Sequence, residues 1–108
     1  MRTHVLKIRE PYFSDILNGL KTFEIRKNDR NYKVGDRLTL QLYPYSNDIT
    51  KEKELSVEIT YILKDIPEYG LDKDYCILGF KPKSLWWSYG YTRVVNFSGE
   101  PTNGTTNE

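Results

Sequence analysis

Four polar side chains lie close together between Lys21 and Arg26, and their types and spacing suit the binding of a charged ligand. Thr22, Glu24 and Arg26 alternate with apolar residues, so in a strand they would share one face at intervals of about 6.6 Å. Lys21 would approach the same ligand from the preceding loop. A carboxylate beside two cations can contact the edge of a nucleobase and a phosphate next to it. The alternative is that Glu24 and Arg26 form only surface ion pairs, each contributing about 0–1 kcal/mol.

A wider set of candidate ligand-binding residues surrounds this group: Lys7, Lys27, Arg30 and Tyr32. The ring of Tyr32 could stack on a base, which contributes about 1–3 kcal/mol in single-strand binders. Residues 1–41 contain nine Lys or Arg against five acidic residues, whereas residues 42–80 contain four against eight. We therefore expect the N-terminal part to carry a cationic face, although an ordinary charged hairpin would give the same pattern.

Metal, disulfide and membrane chemistry find little support in the composition. Cys76 and His4 are the single cysteine and histidine, so they cannot form a disulfide within the chain or a zinc cluster of His and Cys. We expect both to be structural, and we expect no metal and no cofactor. No apolar run approaches the roughly 20 residues that cross a bilayer, and Met1-Arg2-Thr3-His4 is not followed by the apolar segment of a signal peptide. The expected protein is soluble and cytoplasmic, without a membrane partner.

Alternating apolar residues predict five strands and one early helix that together position these side chains. The first strand covers Thr3–Arg9, and a helix of about two turns follows from Pro11 to a cap near Gly19. In the next strand, Thr22–Lys27, we expect Phe23 and Ile25 to face the core. The remaining strands are centred on residues 38–42, on residues 55–63, which should be central, and on residues 75–80.

A chain of 108 residues suits one domain, which we expect to span residues 1–97. Residues 98–108 hold no large apolar side chain and are expected to form a flexible tail. Because no helices recur between strands, the pattern disfavours a parallel α/β sheet. It favours a mainly β (α+β) fold: a small, partly closed β-barrel of about five to six strands with one early helix. Residues 81–97, which include Trp86 and Trp87, lack a clear period and predict only partial order.

The segment Gly19-x-Lys21-Thr22-x-Glu24-x-Arg26, with the turn and strand that follow it, resembles the ASCH group of PUA-like domains. It is similar in particular to a small ASCH-related family of bacteria and their phages that has no settled function. The similarity extends over residues 4 to about 80 and includes further segments: His4-Val5-Leu6-Lys7-Ile8, Asn28-Asp29-Arg30, Val34-Gly35-Asp36, Tyr61-Ile62-Leu63 and Tyr69-Gly70-Leu71. The resemblance implies a PUA-like barrel with a cleft beside the helix, where Lys21, Glu24 and Arg26 bind RNA or a modified nucleotide.

Three functions follow as hypotheses. The first is a binding module for RNA, single-stranded DNA or a modified nucleotide. The second comes from similar relatives that resemble small amidohydrolases acting on acetylated cytidine, and it makes Lys21 and Glu24 the candidate catalytic residues. Binding is favoured over catalysis because those relatives carry a threonine nucleophile where this chain has Glu24. The third is a phage or host protein-interaction domain that uses the surface around Trp86 and Trp87. The sequence predicts no oligomeric state.

Overall fold

The computed structural model describes residues 1–43, 53–87 and 92–94, with side chains described for residues 1–43 and 54–84. They form a mainly β structure with one short α-helix, as the sequence predicts. The elements are β1 (Thr3–Ile8), α1 (Tyr12–Leu17), β2 (Phe23–Lys27), β3 (Arg37–Leu42), β4 (Lys53–Leu63), β5 (Tyr75–Trp87) and β6 (Thr92–Val94). A single 3₁₀ turn, Pro67–Tyr69, lies between β4 and β5. The predicted tail at residues 98–108 lies outside the described residues.

The strands of the described residues belong to one sheet with the order β1-β3-β4-β5-β2, and β6 pairs with β5. The pair β1/β3 is parallel and the other pairs are antiparallel. The longest alternating run of the sequence forms β4 at the centre of this order, which confirms its prediction as a central strand. Strand β5 continues beyond the predicted end at residue 80 because β4 pairs with it as far as Trp87. Pro82 fits there because the register shifts beside its partner Val57, where a missing N–H is tolerated.

Two arginines connect the strands at opposite ends of the sheet order. Arg26 on β2 donates a hydrogen bond from Nη2 to the carbonyl of Lys7 on β1 at 2.7 Å. Arg30, just after β2, donates from Nη1 to the carbonyl of Val5 at 2.8 Å. In the described residues β1 pairs along its backbone with β3 alone, so side chains satisfy carbonyls on its other edge. The sheet therefore curls into a half-barrel, which is compatible with a small β-barrel.

The core fills the inside of this curl. Leu6 and Ile8 of β1 point inward as the alternation predicts, and Phe13 and Ile16 of α1 pack onto the same cluster. Cys76 is fully buried in that cluster, in agreement with a structural role. Among the described residues, α1 and the 3₁₀ turn are both too short to cross a bilayer.

The prediction that Phe23 and Ile25 face the core was wrong. Phe23 is 42% exposed and Ile25 is 53% exposed, whereas Glu24 between them is only 5% exposed. Alternation in β2 shows that these side chains lie on opposite faces, but it does not show which face is inside. The carboxylate takes the inner face because Lys21 and Arg26 pair with it there.

A buried hydrogen-bonded pair joins the first strand to the turn that precedes β3. Nε2 of His4 and Oδ2 of Asp36 lie 2.8 Å apart, and both side chains are almost fully buried. The carboxylate also accepts backbone N–H groups from Arg2 at 3.0 Å and from Lys33 at 3.1 Å. The hydrogen bond with His4 is the main reason that the pKa of Asp36 falls from 3.8 to about 2, with the backbone donors adding to it and burial opposing it. His4 thus has the structural role that the sequence predicts.

Because folding lowers the pKa of Asp36, its ionised form stabilises the native state above about pH 4, and this contribution disappears as the pH falls towards 2. We predict that Asp36→Asn lowers the free energy of unfolding by about 2 kcal/mol at pH 7. The difference from the wild type should narrow between pH 4 and pH 2. Urea unfolding followed by circular dichroism at several pH values measures both effects.

The matched control for this experiment is Asp74→Asn, which removes an exposed carboxylate. We expect this substitution to change the free energy of unfolding by less than about 0.5 kcal/mol. If the wild type exceeded Asp36→Asn in free energy of unfolding by the same amount from pH 7 to pH 2, the role given to the ionised carboxylate would be contradicted.

Candidate functional site

The carboxylate of Glu24 lies at the centre of the candidate site and holds both of the cations that the motif contains. Oε1 accepts a hydrogen bond from Nζ of Lys21, and Oε2 accepts one from Nε of Arg26 at 2.9 Å. Lys21 and Arg26 are themselves largely buried. A buried carboxylate is tolerated when it is paired and hydrogen-bonded in this way.

The end of α1 places Lys21 against this carboxylate. Gly19 adopts φ +78°, a left-handed conformation that ends the helix and favours glycine. The backbone N–H groups of Leu20 and Lys21 then donate to the carbonyl of Asp15 at 2.8 and 3.1 Å. Nζ of Lys21 consequently lies 4.8 Å from the ring centroid of Tyr12. The loop geometry, rather than a long strand, therefore directs the lysine to Glu24.

A cleft of about 420 Å³ opens beside Glu24, between α1, β2 and the ends of β1, β3 and β5. Its volume is at the small end of the roughly 300–1,000 Å³ that ligand pockets occupy. Four basic residues, three tyrosines, two isoleucines and Glu24 line it: Lys7, Arg9, Arg26, Lys27, Tyr12, Tyr43, Tyr75, Ile8, Ile25 and Glu24. We call this the cationic cleft. Its excess of positive charge attracts anions.

Cations and aromatic rings alternate on the walls of the cationic cleft. Nζ of Lys7 lies 4.9 Å from the ring centroid of Tyr43, and the guanidinium of Arg9 lies 5.6 Å from that of Tyr12. Such contacts hold the charged groups near the rings by attraction to the π faces. The three tyrosines of the cleft, including Tyr75, remain between 39% and 47% exposed. Phosphate and a planar ring can therefore both find partners there.

The sequence-predicted residues are distributed over three hollows. Lys7, Glu24, Arg26 and Lys27 line the cationic cleft. Lys21 and Glu24 line an adjoining hollow of about 360 Å³, together with Tyr12, Phe23 and Ile25. Arg30 and Tyr32 line a third hollow of about 140 Å³ next to Arg26 and Lys27. Thr22 is exposed and lines none of these three hollows.

Tyr32 packs inside the protein rather than standing beside the cationic cleft. Its ring is 5% exposed and makes an edge-on contact with His4, with the centroids 4.8 Å apart. Burial raises the pKa of its hydroxyl. The ring therefore supports the His4 and Asp36 pair, and the exposed tyrosines of the cleft are better placed to stack on a ligand.

Besides the two isoleucines, sequence reasoning missed one basic residue and all three tyrosines of the cationic cleft: Arg9, Tyr12, Tyr43 and Tyr75. They come from three separate segments, and Tyr43 and Tyr75 lie far along the chain from the motif. Arg9 and Tyr12 flank Pro11 at the start of the helix, which was the one local signal that could have identified them.

The side chains of Trp86 and Trp87 lie outside the described residues. Within the described part of the chain, no three His, Cys, Asp or Glu side chains come together as a metal site would require.

Glu24→Ala tests whether the carboxylate is structurally important. We predict that it lowers the free energy of unfolding by about 2 kcal/mol, because two largely buried cations lose their partner. The matched control is Glu58→Ala, which removes a more exposed carboxylate whose ion pair with Lys83 is 3.3 Å long. That change should cost no more than about 1 kcal/mol. Chemical unfolding measures the free energy of unfolding of both variants. Equally small decreases in this free energy would contradict the structural importance of Glu24.

Comparisons with known proteins give a family for this chain but no activity. The chain is 36% identical over 59 residues to a protein of Escherichia phage P2 described as an uncharacterized 12.9 kDa protein in the GpA 3′ region. That similarity covers 55% of this chain and 52% of the phage protein, so it spans about half the length of each. The model of a domain of unknown function, DUF3850, matches residues 3–80, which include β1, α1, β2 and the whole motif. The chain therefore belongs to the DUF3850 family.

Proposed function

We propose that this protein is a nucleic-acid-binding module that holds a nucleotide of a single strand, most suitably RNA, in the cationic cleft. One observation carries this proposal: four basic side chains and three partly exposed tyrosines surround one cleft beside a buried carboxylate. Phosphates are bound by Lys7, Arg9 and Lys27, and the base stacks on a tyrosine. Stacking of this kind contributes about 1–3 kcal/mol per base and tolerates different bases.

The cations divide into two groups with different tasks. Arg26 uses its guanidinium to bind Glu24 and the carbonyl of Lys7, and Lys21 is held by Glu24. These two side chains shape the site and supply positive potential. Lys7, Arg9 and Lys27 are the exposed cations of the cleft, and direct phosphate contacts are assigned to them.

We further propose that the domain is related to the ASCH group of PUA-like domains. The support is the Gly19-x-Lys21-Thr22-x-Glu24-x-Arg26 segment, which runs from the end of α1 into β2 of the curled sheet. The cleft beside the early helix lies where that resemblance implies a ligand site. A crystal structure superimposed on known PUA-like barrels tests this relationship.

Binding is better supported than hydrolysis of an acylated cytidine. The linings of the cationic cleft and of the adjoining hollow contain no Ser, Thr or Cys among the described residues. Both oxygens of Glu24 already accept hydrogen bonds from cations, which disfavours their use as a base towards water. The candidate catalytic residues Lys21 and Glu24 are therefore assigned to shaping the binding site.

A short single strand tests the cleft through its dependence on salt. If two or three phosphates are contacted, the logarithm of the association constant should fall with the logarithm of salt concentration with a slope of about −1.4 to −2.1. We predict that Lys7→Ala combined with Lys27→Ala reduces the magnitude of this slope by about 1.4 and weakens binding at low salt by at least about tenfold. Fluorescence anisotropy of a labelled pentaribonucleotide measures both quantities.

The control variant combines Lys64→Ala with Lys73→Ala, which removes the same charge from exposed positions that line none of the three hollows. It should keep the wild-type slope to within about 0.3 units. An equal loss of RNA affinity in the two double variants would contradict the proposal. So would an affinity that does not depend on salt concentration. Repeating the titration with DNA of the same sequence shows whether the 2′-hydroxyl contributes.

A further inference from the structure

The hollow that adjoins the cationic cleft has a different chemistry. It measures about 360 Å³ and is lined by Tyr12, Lys21, Phe23, Glu24 and Ile25. Only one cation lines it, whereas four line the cationic cleft. Two aromatic rings and an isoleucine make up most of its walls. A ligand group that fits here is flat and largely apolar, with polar atoms on one edge.

The two hollows are neighbours that share part of their lining. Tyr12, Glu24 and Ile25 line both of them. A ligand with a phosphate in the cationic cleft therefore needs to pass only these shared side chains to reach the adjoining hollow. The change from four cations to one over this short path matches the change from phosphate to base along a nucleic acid strand.

Lys21 gives the adjoining hollow a preorganised polar wall. Its ammonium lies 4.8 Å from the ring centroid of Tyr12 and 5.3 Å from that of Phe23, so one cation contacts both rings. Glu24 fixes that ammonium through a hydrogen bond. Each carboxylate oxygen has a second lone pair, which can accept an N–H from the edge of a base. The exposed ring of Phe23 offers the stacking surface.

We propose that this hollow is a second nucleotide subsite, which takes the base of the nucleotide next to the one held in the cationic cleft. The ligand is then a single-stranded segment of at least two nucleotides, not an isolated mononucleotide. This inference rests on the proposed function, because the first nucleotide must bind in the cationic cleft. It also explains why Phe23, an aromatic residue on the strand that carries Glu24, is left 42% exposed.

The experiment compares 5′-phosphorylated ribonucleotides of one and two residues by isothermal titration calorimetry. The wild type should bind the dinucleotide about tenfold more tightly than either mononucleotide, because a second base stacks. Phe23→Ala should remove most of that gain and leave mononucleotide affinity within about twofold. Phe23→Leu keeps apolar bulk without the aromatic face, and it should lose the gain as well.

The control for these variants is Tyr61→Ala, which removes an exposed aromatic ring of β4 that lines neither hollow. It should leave the dinucleotide gain intact. Equal wild-type affinity for one and two nucleotides, or an equal loss for both ligands in Phe23→Ala, overturns the second subsite while the cationic cleft stands. If neither ligand binds the wild type, both the subsite and the proposed function fall.

Discussion

The site and the shape of the sheet both depend on one buried carboxylate. Glu24 holds Lys21 on one oxygen and Arg26 on the other, and Arg26 reaches onward to the carbonyl of Lys7. This chain of contacts crosses from β2 to β1, where the described backbone forms no ladder. Charged side chains thus satisfy the edge of a strand that would otherwise be open to pairing. The cationic cleft forms beside this connection because its walls come from the elements that the connection brings together.

The same contacts explain why the motif residues differ in what they can offer a ligand. A cation that is fixed between a carboxylate and a carbonyl is preorganised, and it contributes electrostatic potential with little further loss of side-chain entropy. Lys7 and Lys27 are more exposed, and the proposed function assigns phosphate contacts to them. In the proposed function, structure and recognition are therefore carried by neighbouring side chains, and loss of Lys21 or Arg26 would disturb the two together.

Much of the fold follows from local sequence rules, whereas the site follows only in part. Alternation located the strands, and the Pro11 and Gly19 signals located α1, because each depends on neighbouring residues. Alternation alone could not decide that Glu24 faces inward, since it separates the two faces of a strand without showing which face is buried. Tyr43 and Tyr75 reach the cleft through sheet topology, which no local pattern encodes. Tyr32 follows a cationic turn in sequence, yet its packing against His4 is tertiary.

The most direct test of this account is a crystal structure of the protein bound to a short single-stranded RNA. The account predicts a phosphate within hydrogen-bonding distance of Lys7, Arg9 or Lys27, with a base against a tyrosine of the cationic cleft. Glu24 should still hold Lys21 and Arg26, and Arg26 should still contact the Lys7 carbonyl. RNA bound on another surface, or a cleft in which Arg26 has left Glu24 and turned to solvent, would contradict it.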